Sequence, residues 1–333
     1  MINSSYKRHP INYDAMKNIK QPNNIKFGIG AAKDFTCPKK SLVITSKGAV
    51  SRGWLEYINA ENCKIFDDVE SNPSIKTAEK IISEYSNEGF ECVIGLGGGS
   101  SLDVAKFVGY RLKKRKFLIP TTFGSGSEVT RISVLTVNGK KTSFHDDEMF
   151  ADVAIVDPYF IKDTPFEIIK NSAIDACAQC TEGYDSRSGN EYTRFLCKNA
   201  FGILEDAILN EKYENLPMGS LITGLGFGNC STTLGHALSY PFSNEGIPHG
   251  HALAFTTTAA HNFNKSQFYE RFQDLVKKLD FSSISLKQNL NEAADTIMTD
   301  RKHLDNNPKK ITKKNVFHLL ESVNQKKVNN FSG

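Results

Sequence analysis

The chain reads as an α/β domain with a Rossmann-like parallel sheet, followed by an all-α domain. Three observations predict this. Up to Pro158, apolar runs of strand length alternate with segments of helical apolar spacing, an order that produces a parallel sheet covered on both faces. At one joint, Gly95-Leu96-Gly97-Gly98-Gly99-Ser100-Ser101-Leu102-Asp103-Val104-Ala105-Lys106, a strand passes through three consecutive glycines into a helix. From Pro165 onward the strand signal stops and only helical patterns remain. The two domains are therefore expected over residues 1–160 and 161–333.

The first thirty residues read as an irregular lead-in, with an edge hairpin around Ile25 to Ile29. Ser41 to Thr45 is a strand, and Ser46-Lys47-Gly48 is its exit turn. Ala49 to Ile58 follows as a helix, Cys63 to Val69 as a strand and Asn72-Pro73 as a turn. Ser74 caps a helix to Glu88. Cys92-Val93-Ile94 is a buried strand that opens the glycine turn and a helix from Leu102 to Leu112. Phe117-Leu118-Ile119 is the next strand. Val134 to Val137 and Lys141 to Phe144 form a hairpin about Asn138-Gly139, and Asp152 to Pro158 is a last strand. Helical spacing then covers Pro165 to Tyr184, Glu191 to Leu209, Pro217 to Ser239, His249 to Asn262, Phe268 to Leu279 and Lys314 to Val323.

Composition removes several classes of function. Hydrophobic residues at 39% and charged residues at 23% describe a soluble globular protein. No apolar run approaches the roughly 20 residues of a membrane helix. Met1 to Asn24 lacks the apolar core of a signal peptide, so a cytoplasmic location without a membrane partner is expected. A net charge of +4 is too small to argue for nucleic acid. The densest basic run, Arg111 to Lys116, falls at a helix C-terminus, where cations offset the dipole. Seven scattered cysteines, an odd number, fit reduced thiols. Cys177 and Cys180 form a CxxC, but no second pair completes a zinc ribbon, and packing on a helix is the favoured role.

Glycines at a strand end let the backbone approach a ligand, and a helix start with Ser100 or Ser101 as its cap suits a phosphate. The spacing is neither a P-loop nor the usual dinucleotide fingerprint, and a tight turn accounts for it equally well. A second loop, Pro120-Thr121-Thr122-Phe123-Gly124-Ser125-Gly126-Ser127-Glu128-Val129-Thr130, also follows a strand. Ligands of open parallel sheets bind at such ends, so two loops on neighbouring strands can hold the two halves of a dinucleotide.

Together these stretches resemble the iron-containing (group III) alcohol dehydrogenase family, which shows GGGSxxDxAK and PTTxGTGSEVT; Ser125 stands where Thr is usual. The resemblance runs from Ser41 to the region of Pro308. It implies a dehydroquinate synthase-like architecture, with a dinucleotide-binding first domain and a metal- and substrate-binding second one. It also implies an NAD(P)-dependent alcohol dehydrogenase or aldehyde reductase; a homodimer is the expected assembly. Cofactor contacts are expected from Ser46, Lys47, Asn72, Gly97, Gly98, Gly99, Ser100, Asp103, Thr121, Thr122, Ser125, Ser127 and Lys141.

The family's metal is held by an aspartate, a histidine four residues later and two further histidines. Asp175 matches the aspartate, and Gln179 falls where the first histidine is expected, on the same helix face. His236, in Leu234-Gly235-His236-Ala237-Leu238-Ser239-Tyr240-Pro241, and His249, in Ile247-Pro248-His249-Gly250-His251, match the others. An amide oxygen is a weaker, harder donor than imidazole. Asp175, Gln179, His236 and His249 are still expected to hold a divalent metal, Fe2+ or Zn2+; the alternative is that Asp175 and Gln179 only hydrogen-bond. The metal would polarise a carbonyl and stabilise an alkoxide. Tyr240, where many members place a histidine, and His251 are the expected proton donors, with a packed aromatic the alternative for Tyr240.

In the family an aspartate at the position of Ser46 would repel a 2′-phosphate. A hydroxyl beside Lys47 tolerates or attracts one, so NADP(H) is favoured over NAD(H). The Gln-for-His change and the short tail from Asp305 to Thr312 look most like the phosphonoacetaldehyde reductases, which form 2-hydroxyethylphosphonate. Succinic and malonic semialdehyde reductases are close competitors. All three substrates are short aldehydes with an anionic end, for which Arg131, Arg187 and His145 are candidate partners. Two other readings stay open. One is a dehydroquinate synthase-like lyase or glycerol-1-phosphate dehydrogenase, against which the second loop argues. The other is a nucleotide-binding protein that has lost catalysis.

Overall fold

The structure, a computed structural model, describes residues 18–60 and 62–324. Residues 1–17, with most of the expected lead-in, lie outside the described residues. The first half contains β1 (Asn24–Phe27), β2 (Ser41–Ile44), α1 (Lys47–Ser51), α2 (Trp54–Tyr57), β3 (Lys64–Phe66), α3 (Ile75–Tyr85), β4 (Cys92–Gly97), α4 (Gly99–Arg111), β5 (Arg115–Pro120), β6 (Ile132–Val137), β7 (Lys140–His145) and β8 (Val153–Val156). The second half contains α5 (Phe166–Asp185), α6 (Glu191–Leu209), α7 (Leu216–Phe227), α8 (Leu234–Asn244), α9 (His249–Asn264), α10 (Tyr269–Lys278), α11 (Leu290–Met298), α12 (Arg301–Asn306) and α13 (Lys313–Asn324).

Six strands form one parallel sheet in the order β1-β8-β5-β4-β2-β3. Leu42, Val43, Ile44, Val93, Ile94 and Leu96 are fully buried, as continuous apolar strands must be when helices cover both faces. From β2 the chain moves outward to β3; from β4 it moves the other way, to β5 and β8. The strand order therefore reverses between β2 and β4, and the crevice at their carboxyl ends is where an open sheet takes a ligand. Thr45 Oγ1 donates to the carbonyl of Leu96 at 2.6 Å and holds these two strand ends together.

Four expectations need correction. The segment near Ile25 is not a hairpin: β1 pairs in parallel with β8. Helix Ala49 to Ile58 breaks into α1 and α2 at Gly53, whose φ is 70°. The long helix from Pro217 to Ser239 is two helices, α7 and α8. The connection contains Ser231 at φ 63°, and the Asn306 amide donates to the carbonyls of Cys230 (2.8 Å) and Thr232 (3.0 Å). Finally, α11 and α12 lie between Leu279 and Lys314, a stretch for which no element was expected.

The two loop motifs also assemble the fold. Lys106 of α4 is fully buried, and its ammonium donates to the carbonyls of Ser127 (3.0 Å) and Ile132 and pairs with Asp103 at 3.1 Å. Asp103 in turn accepts from Ser127 Oγ (2.6 Å) and Val134 N (3.0 Å). One ion pair thus ties together the glycine-turn helix, the second loop and the β6–β7 hairpin. Gly126, at φ 59°, lies against α7; a Cβ there would sit 2.6 Å from the Cα of Gly224. At Gly124 a Cβ would fall 2.4 Å from the carbonyl oxygen of Ser172 in α5. These two glycines let the loop meet the helical half backbone to backbone.

Candidate active site

A cleft of about 620 Å³ opens between the sheet's carboxyl edge and the helical half. A smaller recess of about 220 Å³ adjoins it, sharing Gly98, Ser100 and Thr122. Together they make a trough running from the end of β2 over the glycine turn to α5, α8 and α9. Gly97 has φ 148° and no room for a Cβ, which would lie 2.7 Å from Ser101 Oγ, so only glycine makes this turn at the strand end.

At the helical end three side chains converge. One ligand atom from each of Asp175 (α5), His236 (α8) and His249 (the first residue of α9) lies within 4.8 Å of the others. Glu182, two turns along α5 from Asp175, is buried and sits 2.5 Å from His236 Nδ1. It also accepts from Thr233 Oγ1 (2.9 Å) and the amide of Gly235 (2.5 Å) at the start of α8. Gly235 leaves the space for it, since a Cβ would lie 2.7 Å from Glu182 Oε1. Burial alone would raise the Glu182 pKa, but the His236 imidazole and these donors outweigh it and bring it down to about 2. An ionised Glu182 accepts from His236 Nδ1 and orients the ring so that Nε2 faces Asp175, 3.8 Å away, the arrangement of a carboxylate-oriented metal ligand.

His249 Nδ1 lies 3.4 Å from Ser243 Oγ and 3.5 Å from Ser239 Oγ, which leaves Nε2 available. Burial, then the Lys141 and His236 charges, push its pKa far down, so it is a neutral imidazole. Burial raises Asp175 to about 6 against the pull of His236, Lys141 and the Gln179 hydrogen bond, as suits a carboxylate short of positive charge. Gln179 Nε2 donates to Asp175 Oδ1 at 3.0 Å, and its Oε1 is buried with no hydrogen-bond partner among the described residues. Two imidazole nitrogens, a carboxylate and an orphaned amide oxygen fit a divalent transition metal.

The other expected residues divide. Asn72, Gly98, Gly99, Ser100, Asp103, Thr122, Ser125, Ser127 and Lys141 line the cleft; Ser46 and Thr121 line the recess. Asp103 and Ser127 are already bonded to each other, as described. Burial lowers the Lys141 pKa against the opposing carboxylates of Asp175 and Asp103. Lys47 does not reach the recess: its side chain is 76% exposed and pairs with Asp68 at 2.9 Å. The cation lining the recess is Arg52, which bonds the carbonyl of Gly48 at 2.8 Å and faces Trp54. Tyr240 lines the cleft with its ring parallel to that of His249. His251 does not: its Nε2 lies 2.6 Å from the carbonyl of Ser282, and its ring packs on Phe281. Arg131 pairs with Asp147 (2.6 Å) and Arg187 donates to the carbonyl of Pro308 (3.3 Å); neither lines the trough. Cys177 and Cys180 are fully buried, and burial raises both thiols.

Four groups escaped the sequence reading, Arg52 of the recess among them. Glu182 was within reach, being seven residues after Asp175 and so on the same helix face. Lys302 and His303, both on α12, line the cleft. His303 Nδ1 lies 2.7 Å from Asp300, and its ring faces those of His236 and Tyr240. A six-residue polar helix carries no periodicity that would announce it.

Comparison with known proteins agrees with this geometry. The family profile "Iron-containing alcohol dehydrogenase" matches residues 22–158, and the profile of the C-terminal region of Fe-containing alcohol dehydrogenases matches residues 169–299. The 4-hydroxybutyrate dehydrogenase of Clostridium kluyveri is 29% identical over 257 residues, covering 67% of this chain and 69% of that protein. The sulfoacetaldehyde reductase of Bilophila wadsworthia is 25% identical over 380 residues, covering 90% and 96%. The crystal structure of an iron-containing alcohol dehydrogenase from Thermotoga maritima superposes with a TM-score of 0.84 at 26% identity, covering 92% of this chain and 99% of that one. The parallel-sheet domain, the helical domain and the ligand cluster between them thus make this chain a member of the iron-containing alcohol dehydrogenase family, an oxidoreductase of the alcohol dehydrogenase and aldehyde reductase type.

Proposed function

We propose that the protein reduces a short aldehyde with an anionic end to its primary alcohol, using a nicotinamide cofactor. NADP(H) is preferred to NAD(H), and phosphonoacetaldehyde is the foremost substrate, giving 2-hydroxyethylphosphonate. The observation that carries the reading is the cleft itself, where the metal-ligand cluster shares a wall with two lysines, Lys141 and Lys302. The relatives support it: sulfoacetaldehyde carries a sulfonate and 4-hydroxybutyrate a carboxylate. The second of these also favours succinic semialdehyde as the next substrate to test.

The chain's own residues have distinct tasks. Gly98, Gly99 and Ser100, at the amino end of α4, take the pyrophosphate. Ser46 and Arg52 lie at the adenosine end, where a hydroxyl and a guanidinium receive a 2′-phosphate. Asp175, Gln179, His236 and His249 would hold the divalent cation. When bound, the cation supplies Lewis-acid polarisation and the cofactor a hydride. Tyr240 holds a proton at its Oη: burial, then Asp300, Glu182 and Asp175, push its pKa well above the usual phenol value. That proton passes to the alkoxide oxygen, which is far more basic than a phenolate.

The test is a kcat/KM panel for phosphonoacetaldehyde, succinic semialdehyde, malonic semialdehyde and propanal with each cofactor. Anionic aldehydes with NADPH should lead. If propanal equals or exceeds all three, the substrate reading is wrong.

A further inference from the structure

We propose that Lys302, steadied by His145, is the residue that binds the anionic end of the substrate. The inference rests on the anionic-aldehyde reading above and assigns the recognition to one side chain.

Lys302 is on α12 of the helical half, and His145 is the last residue of β7 in the hairpin of the α/β half. Their side chains join the two halves, Lys302 Nζ to His145 Nε2 at 3.0 Å. Burial, then the charges of Lys302 and Arg131, lower the His145 pKa to about 4. The imidazole is therefore neutral near pH 7 and accepts a hydrogen bond from the ammonium. One of the three ammonium donors is spent on this bond, and two remain. Lys302 is an exposed residue that also lines the cleft, and burial there lowers its pKa against the opposing charge of Asp300.

The nearest carboxylate does not occupy it. Asp300 is taken by His303, whose Nδ1 lies 2.7 Å away and whose amide donates at 3.3 Å. The cations first considered for this role are spent elsewhere, Arg131 on Asp147 and Arg187 on a carbonyl. Lys141, the other lysine of the cleft, lies in the field of two carboxylates, Asp175 of the ligand cluster and Asp103 of the glycine-turn helix. Lys302 thus lies next in sequence to His303, whose ring faces the metal ligand His236, and itself lines the same cleft. In this proposal the carbonyl of the aldehyde lies at the ligand cluster and its phosphonate, sulfonate or carboxylate, one or two carbons away, meets the Lys302 ammonium.

The experiment uses the metal-loaded full chain with NADPH. For Lys302→Gln, the ratio of kcat/KM for phosphonoacetaldehyde to that for propanal should fall roughly 10- to 100-fold, as expected for a lost charge-assisted hydrogen bond. The inhibition constant of ethylphosphonate against propanal reduction should rise by the same factor. Lys302→Arg should keep most of the ratio, and His145→Ala should raise KM for the anionic aldehyde more than it lowers kcat. Should wild type prefer anionic aldehydes and Lys302→Gln keep that preference, Lys302 is not the anion site although the substrate reading stands. Should wild type show no anionic preference, the substrate reading itself fails.

Discussion

Ser46 stands at the carboxyl end of β2, and one atom-scale choice there decides between two cofactors. A hydroxyl neither repels nor neutralises a 2′-phosphate, and under the proposed NADP(H) preference the Arg52 guanidinium in the same recess would attract it. Ser46→Asp should therefore swing the preference towards NADH, with about 1–3 kcal/mol of repulsion against NADPH at a surface-like dielectric. The ratio of kcat/KM for the two cofactors reads this directly, and an unchanged ratio removes Ser46 from the assignment. Gln179 is the second decisive residue. Its amide occupies the place of an imidazole and spends its donor on Asp175. Gln179→His should tighten metal retention, measured by elemental analysis after chelator dialysis. The gain should stay near about tenfold, because Glu182 already serves His236 and the new ring would lack a carboxylate to orient it. His236→Ala should leave the protein metal-free under the same dialysis.

At the scale of elements, the turn between β4 and α4 leaves little spare room in the trough. A Cβ on Gly98 would lie 3.0 Å from Thr122 Oγ1, so a branched side chain there must project into the space shared by the cleft and the recess. Gly98→Val should weaken cofactor binding by about 1–3 kcal/mol, the usual cost of overpacking a filled site, without unfolding the chain. Fluorescence titration with NADPH checks the first part and circular dichroism the second. Normal NADPH affinity in a folded variant would mean the pyrophosphate lies elsewhere. The hydroxyl loop shows how one motif serves two ends. Thr122, Ser125 and Ser127 face the cleft, whereas Gly124 and Gly126 hold the loop against α5 and α7.

For the whole molecule, the loop's Glu128 couples pH to stability. It is 2% exposed, and burial raises its pKa to about 7 despite the nearby Lys106. The folded state thus prefers the protonated acid, while the unfolded chain ionises near its ordinary value. The contribution is fully present below about pH 4.5 and is lost as pH rises through about 7, a change on the order of 3 kcal/mol. Glu128→Gln is neutral at every pH and should abolish it. Thermal melts at pH 5 and pH 8.5 should then differ less for the variant than for wild type. An equal difference would show that Glu128 is ionised in the folded protein.

Much of this molecule follows from local sequence, because local rules suffice where an element is long and its apolar period clean. The strands Ser41–Ile44 and Cys92–Gly97, the glycine turn and the helices Phe166–Asp185 and Glu191–Leu209 all belong to that class. So does the presence of a second loop at a strand end, since glycine and hydroxyl residues there have few other uses. Only the tertiary structure decided the rest. The break between α7 and α8 depends on Asn306, some seventy residues away, satisfying carbonyls that a continuous helix would have paired internally. The parallel docking of β1 on β8 joins segments whose own sequences say nothing of one another. Arg52 lines the recess where Lys47, five residues earlier, was expected, because Asp68 captures Lys47. His251 was two residues from a ligand, but a helix turns about 100° per residue, and two steps carried it to the side of Ser282 and Phe281. Lys302 and His303 reach the cleft from a short polar helix with no periodic signal, placed only by contacts distant in the chain. Residue types tell which chemistry is available; which of those groups face one another is a property of long-range packing, and pattern along the chain does not carry it.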